Sequence, residues 1–184
     1  MMLYENAMQQ PTMKFDDNSG NKIWRLDGKW HREDGPAVKY ADGSKAWYLH
    51  GKQHREDGPA YEGADGYKSW FLHGRRHRED GPAIEHANGD KEWFLHGKLH
   101  RKDGPAYEDA NGTKAWYLHG ELHREDGPAF EYADGREEWY LIGSPYEDVF
   151  EWAEALLKMK GINDPSEDQI NDVVQQVTSS SILD

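Results

Sequence analysis

Trp93-Phe-Leu-His-Gly-Lys-Leu-His-Arg-Lys-Asp-Gly-Pro-Ala-Tyr-Glu-Asp-Ala-Asn-Gly-Thr-Lys-Ala115 is one period of a text that fills most of this chain. The tryptophans that open each period, Trp24, Trp47, Trp70, Trp93, Trp116 and Trp139, stand 23 residues apart. An unbroken period of this length marks an array of stacked units, not one globular core. A unit this small cannot bury its own apolar face, so it must lean on its neighbours.

Every unit carries Asp-Gly or Asn-Gly: Asp42-Gly43, Asp65-Gly66, Asn88-Gly89, Asn111-Gly112 and Asp134-Gly135. Asp-Gly and Asn-Gly are strong hairpin signals, because a two-residue type I′ turn needs positive φ at both central residues. Strand-length runs flank them, Pro105-Ala-Tyr-Glu-Asp-Ala110 before and Lys114-Ala-Trp-Tyr-Leu-His119 after. With Asn111-Gly112 as the whole loop, Tyr107 faces Trp116 and Ala106 faces Tyr117. One face then carries Trp, Leu and a large apolar residue, and the other carries Tyr or Phe, Ala, Glu and His. The predicted fold is mainly β: an elongated antiparallel β-hairpin array of about five units with a C-terminal α-helical cap. Residues 1–21 are read as an N-terminal cap with a decayed half repeat, 22–143 as the repeats, and 144–184 as an acidic helical segment.

That last segment has its own pattern. Ser144-Pro-Tyr-Glu147 reads as a helix start, with Ser as N-cap and Pro in first position. Apolar Tyr146, Val149, Phe150, Ala153, Leu156 and Leu157 form a helical stripe, and Gly161 ends it. Asp164-Pro-Ser-Glu167 repeats the start signal, and Ile170, Val173, Val174 and Val177 give a second stripe. The first helix is expected to cover the last strand, which would otherwise be an open edge. Whether the second helix caps the array, holds a partner or dimerises is left open. The tail from Ser179 to Asp184 is expected to fray.

Composition narrows the function. The 184 residues carry a net charge of −13, with 36% hydrophobic and 31% charged residues. Residues 143–184 hold nine acids and two bases, more than half of the excess. Direct binding to nucleic acid needs a basic footprint and is not expected. There is no Cys, hence no disulfide or thiolate site. No stretch reaches the ~20 apolar residues that span a bilayer. The first ten residues lack a basic and an apolar region, so no signal peptide is expected and a cytoplasmic location is.

Repeats reading Trp-Tyr-x-x-Gly-Lys-x-His-Arg-Glu-Asp-Gly-Pro-Ala resemble a variant class of MORN repeats, over residues 22–143. The resemblance implies a β-hairpin array that serves as a scaffold or interaction module and in places dimerises. Chains that look like this occur in large tailed phages and some bacteria. For a phage-encoded protein this implies residence in the host cytoplasm and a host factor, such as a defence component, as target. Lipid contact, known in the wider family, is not carried over, because an acidic chain is repelled by an anionic membrane.

Two kinds of histidine recur along the array. One lies in the loop His-Arg-Glu-Asp-Gly at His31, His54, His77 and His123, with His100-Arg-Lys-Asp-Gly as the fifth copy. Loop engineering accounts for that motif: Asp caps the turn, Gly supplies positive φ, and Arg pairs with a neighbouring unit's carboxylate. The other ends a strand, at His50, His73, His96 and His119, four residues before the loop His. Such a pair, with no third ligand at fixed spacing, does not argue for zinc; stacked imidazoles bonded to loop carbonyls are expected instead, with sensitivity to acid. No metal and no cofactor are expected, and no catalytic motif is present.

The candidate binding surface is the repeated row of Tyr48, Phe71, Phe94 and Tyr117 with His50, His73, His96 and His119. Aromatic residues in this density suit a protein interface. The leading expectation is a non-enzymatic scaffold that binds a protein partner, with homodimerisation left open. The alternatives are capture of a small ligand such as a nucleotide, whose base would stack on Phe71, Phe94 and Tyr117, and an acidic mimic of DNA. Individual character is expected at divergent positions such as Tyr40, Gly63, His86, Asp109 and Tyr132.

Overall fold

The structure, a computed structural model, describes residues 12–15 and 19–180. The expected N-terminal cap lies partly outside these residues, and the tail beyond residue 180 lies wholly outside them. The protein is mainly β, built of short antiparallel hairpin strands, with two helices at its C-terminal end. The chain divides into two compact units, Met1–Ala87 and Asn88–Asp184.

In the first unit the strands Thr12–Phe15, Lys22–Leu26, Val38–Lys39, Lys45–Ala46, Tyr61–Glu62, Lys68–Ser69 and Ile84–Glu85 pair antiparallel in sequence order. In the second, Lys91–Glu92, Tyr107–Glu108, Lys114–Ala115, Phe130–Glu131, Glu137–Leu141 and Ser144–Tyr146 do the same. The meander expected from the turn spacing is therefore present in each unit.

The register differs from the expected one by a residue. Tyr107 pairs with Ala115 and Glu108 with Lys114, not with Trp116 and Ala115. The reason lies in the turn. Gly112 has φ +104, but Asn111 does not take positive φ. The loop is three residues long, closed by Asp109 N–H to the Thr113 carbonyl at 3.0 Å and Gly112 N–H to the Asp109 carbonyl at 3.2 Å. This is the type I turn followed by a left-handed glycine, the next commonest hairpin connection. The Asp side chain favours it: in the equivalent turn the Asp42 carboxylate accepts the Ser44 N–H at 2.8 Å.

A slip of one residue exchanges the faces. Val38, Ala46, Ser69 and Ile84 point inward and are buried, while Lys39, Lys45 and Lys68 point outward. The innermost layer is alanine, with Ala37, Ala60, Ala83, Ala106 and Ala129 fully buried. The repeating Gly-Pro-Ala places a side chain that fits where two hydrogen-bonded tracks close on each other.

The second track was not expected. The sheet strand breaks at Trp47, Trp70, Trp93 and Trp116, whose N–H turns to an alanine carbonyl, Trp47 to Ala60 at 2.8 Å. The chain then forms a separate hairpin, Tyr48–Leu49 with Lys52–Gln53, around His50-Gly51. Both turn residues have positive φ, 49° and 82°. The type I′ turn thus belongs to His-Gly and not to Asp-Gly, and the two residues after it, Lys52–Gln53, form a strand. These side hairpins bond to one another between repeats, as Gly74 N–H does to the Gln53 carbonyl at 2.8 Å. Consecutive repeats in a unit are joined along both tracks.

At the C-terminal end the start signal at Ser144 is overridden. Ser144–Tyr146 pairs as a strand with Trp139–Leu141, so it occupies the sheet edge that a helix was expected to cover. Helix α1 (Val149–Met159) starts after Asp148, whose carboxylate accepts the Phe150 and Glu151 N–H groups at 2.8 and 2.9 Å. It stops at Gly161, with φ +94, as its sequence predicts. Its buried stripe is Trp152, Ala153, Leu156 and Leu157, while Phe150 is half exposed. Trp152 packs 4.8 Å from Trp139 and places α1 on the sheet face. Helix α2 (Glu167–Ser180) is capped by Ser166, which exchanges hydrogen bonds with Gln169, and not by Asp164. Val177 joins the core of Trp139, Leu141 and Trp152, with Ile170, Val173 and Val174 packed against it. Both helices therefore cap the array.

Candidate functional site

Five repeats place an arginine over their tryptophan. The guanidinium carbons of Arg32, Arg55, Arg78, Arg101 and Arg124 lie 4.3, 4.1, 4.1, 4.1 and 3.9 Å from the ring centroids of Trp24, Trp47, Trp70, Trp93 and Trp116. Stacking fixes the fork, and three of its five N–H groups are then engaged in the second repeat. Arg55 donates to Asp57 at 2.9 Å, to the Pro59 carbonyl at 3.2 Å and to Glu62 at 3.0 Å. The carboxylates come from the same period of sequence, not from a neighbouring one. The hydrogen bond and charge of each arginine hold Asp34, Asp57 and Asp80 below the usual carboxylate pKa.

Of the five loop glycines Gly104 takes the expected positive φ, +149; the other four do not. Gly58 does not take positive φ; a Cβ there would lie 2.9 Å from the Arg55 guanidinium carbon. The same approach recurs at Gly81 and Gly127, 2.8 Å from Arg78 and Arg124. Glycine is needed for space. The clamp was legible as the constant spacing from each Trp to its Arg, but only folding shows that the two touch.

The histidines meet across repeats rather than within one. His31 Nδ1 accepts the His50 N–H at 3.1 Å, and the rings lie 4.4 Å apart. His54 with His73 and His100 with His119 repeat the contact. At the end of the series His123 accepts the Ile142 N–H at 3.2 Å. The loop imidazole thus satisfies an N–H of the left-handed turn, not a carbonyl. Its other nitrogen lies near the loop glutamate, as in His54 and Glu56 at 3.6 Å. At His100 the glutamate is replaced by Lys102. Burial, with the His119 charge beside it, pushes the His100 pKa down. Among the described residues no group of three or more His, Cys, Asp or Glu could hold a metal ion.

The candidate row is split by burial. His50, His73, His96 and His119 are exposed. Tyr48, Phe71 and Tyr117 are half-buried, and Phe94 is only 8% exposed. Tyr48 packs edge-on to Trp30 at 4.8 Å, and burial raises the pKa values of Tyr48 and Tyr117. Two of the divergent residues, Tyr40 and His86, end a row of rings in the first unit that also contains Tyr61 and Tyr67. Tyr40 to Tyr61, Tyr61 to Tyr67 and Tyr67 to His86 are 6.3, 5.9 and 5.2 Å apart between ring centroids.

Successive His-Arg-Glu-Asp-Gly loops enclose grooves. In the first unit one groove of about 760 Å³ lies between the loops of Arg32–Asp34 and Arg55–Asp57, over Trp47 and Leu49. The next, of about 780 Å³, lies between Arg55–Asp57 and Arg78–Asp80, over Trp70 and Leu72. The second unit has an equivalent over Trp116 and Leu118, with Lys102 in its wall. These grooves are not legible in one repeat, because their two walls come from successive periods.

No protein-family model matches the sequence, and no curated protein matches it significantly. Among the described residues no helix is long and apolar enough to cross a membrane.

Proposed function

We propose that the protein is a non-enzymatic repeat scaffold that binds a protein partner. One observation carries this: the same groove, with a Trp–Leu floor and charged walls, recurs side by side on a frame joined by hydrogen bonds on two tracks. A repeated groove on a rigid frame suits an extended macromolecular partner better than a single small substrate. The ionisable groups support the same reading. Arg32, Arg55, Arg78 and Arg124 are each engaged with the loop aspartate two residues on, whereas a catalytic centre holds one constellation tuned apart from the rest.

The resemblance to MORN repeats agrees with a scaffold, and the phage-like character of the variant class makes a host factor the natural target. The exposed His50, His73 and His119 border the half-buried Tyr48, Phe71 and Tyr117 and offer donors and ring faces to a partner. Capture of a nucleotide on the aromatic row has less support, since Phe94 is buried. A DNA mimic has less support too, since the loop arginines offset the carboxylates beside them.

The test is retention of a partner by the immobilised full chain, compared with His50→Asn, His73→Asn and His119→Asn together. Asn tolerates the positive φ at these positions. A protein held by the wild type and lost by the variant supports the reading. Retention of general chaperones alone, by both, counts against it.

A further inference from the structure

The two adjacent grooves of the first unit have a defined interval. Trp47 directly follows the strand Lys45–Ala46, and Trp70 directly follows Lys68–Ser69. Between these strands lies one other, Tyr61–Glu62, paired to both. The floors are therefore two strand spacings apart, about 9.6 Å. A polyproline II helix rises ~3.1 Å per residue with three residues per turn, so it repeats every ~9.3 Å. The other regular conformations lie farther from the interval. A β-strand presents the same face every ~6.6 Å, and seven residues of α-helix advance ~10.5 Å.

The walls specify charge. The side chains of Glu33, Glu56 and Glu79 are 84%, 83% and 84% exposed, and each lies beside a histidine. Asp34, Asp57 and Asp80 stand beside them, 81% to 84% exposed, each held by an arginine that also engages other groups. Every loop in this unit thus adds two carboxylates against one guanidinium. The floors supply a leucine and an indole, one face of which carries the loop arginine; on the apolar surface left between them a pyrrolidine ring packs. Aromatic-lined grooves are the general receptors for proline-rich segments, because the polyproline II helix is preformed and loses little entropy on binding.

From this interval and this charge we infer that the two grooves bind a basic, proline-rich segment in the polyproline II conformation. The segment lies across the loops, one turn to a groove, with its cationic side chains on Glu33, Glu56 and Glu79. This names the class of partner and rests on the scaffold reading above. In the second unit, Lys102 in the groove wall weakens the same site.

The experiment uses the full chain and a labelled peptide of four Pro-Pro-Arg triplets, read by anisotropy and by tryptophan fluorescence. Two controls carry the same charge: a flexible peptide of Gly-Ser-Arg triplets and a helical peptide of alanine and arginine. The expected result is that the proline peptide binds at least tenfold more tightly than either control. Glu56→Lys, in the wall shared by both grooves, should weaken it at least tenfold, while Lys102→Glu should leave it intact or strengthen it. Glu56 is exposed, so the fold survives its substitution, and circular dichroism checks this. No binding of the proline peptide, equal binding of the flexible control, or full affinity in Glu56→Lys would each overturn the inference. A partner protein whose capture neither the peptide nor Glu56→Lys affects would also overturn it, and would leave the scaffold reading standing.

Discussion

The Arg55 guanidinium lies over the Trp47 ring, its central carbon 4.1 Å from the centroid, with Asp57, Glu62 and the Pro59 carbonyl taking its hydrogens. Stacking and forked hydrogen bonding act on one planar group, which lysine cannot reproduce. Arg55 is only 22% exposed, so the ring contact is partly desolvated. Arg55→Lys should cost about 1–2 kcal/mol in urea unfolding. A double-mutant cycle with Trp47→Leu should show coupling of roughly 1 kcal/mol. Additive effects would mean that the stack contributes nothing.

Gly58 is the space that this guanidinium occupies. Gly58→Ala should destabilise by about 1–3 kcal/mol through overpacking, although its φ tolerates a side chain. In an Arg55→Ala background the same change should be near neutral. An equal penalty in both backgrounds would refute the steric account.

Ile142 stands where four repeats have histidine and the first has Asp27. It is a β-branched residue at φ 48, with 58% of its surface exposed. That conformation is strained for such a side chain and gains nothing from burial. Ile142→Gly or Ile142→Asn should raise stability by about 1 kcal/mol. A lower melting temperature in both variants would show that Ile142 makes a contact that matters.

Acid should loosen the second unit at His100. The Nδ1 of this ring accepts the His119 N–H, and a protonated ring cannot. Its folded pKa lies below the ordinary value near 6.5, so the unfolded chain takes up the proton first. Stability from this group is complete above pH ~6.5 and is lost as pH falls below it toward the depressed folded value. His100→Asn keeps an acceptor near the same place and removes the titration. It should be less stable at pH ~7.5 yet lose less on acidification to pH ~5.5. Identical pH slopes for the two proteins would exclude His100 as the source.

Much of the architecture could be read in the chain. The 23-residue period determined the array, the Asp-Gly turns determined where hairpins close, and the stripes before and after Gly161 located two helices. Periodicity and backbone preference are local properties, and local properties are what a sequence states directly. The type I′ turn at His50-Gly51 was hidden because histidine is not a usual residue for positive φ, and its N–H is satisfied by His31 from the preceding repeat. The strand at Ser144 was hidden because a good helix start lost to a free sheet edge.

The candidate site was less legible than the fold. The row of Tyr48, Phe71, Phe94 and Tyr117 was found from aromatic content, but burial of Phe94 depends on what packs beside it. The grooves over Trp47 and Trp70 needed loops from successive periods to stand side by side. The sequence by itself determined the repeat, its turns and its chemistry; the tertiary structure decided the register, the partners of each arginine and histidine, and which surfaces stay open. The physical reason is that a one-residue change in loop length exchanges the two faces of a strand at little local cost, so the choice falls to packing between repeats.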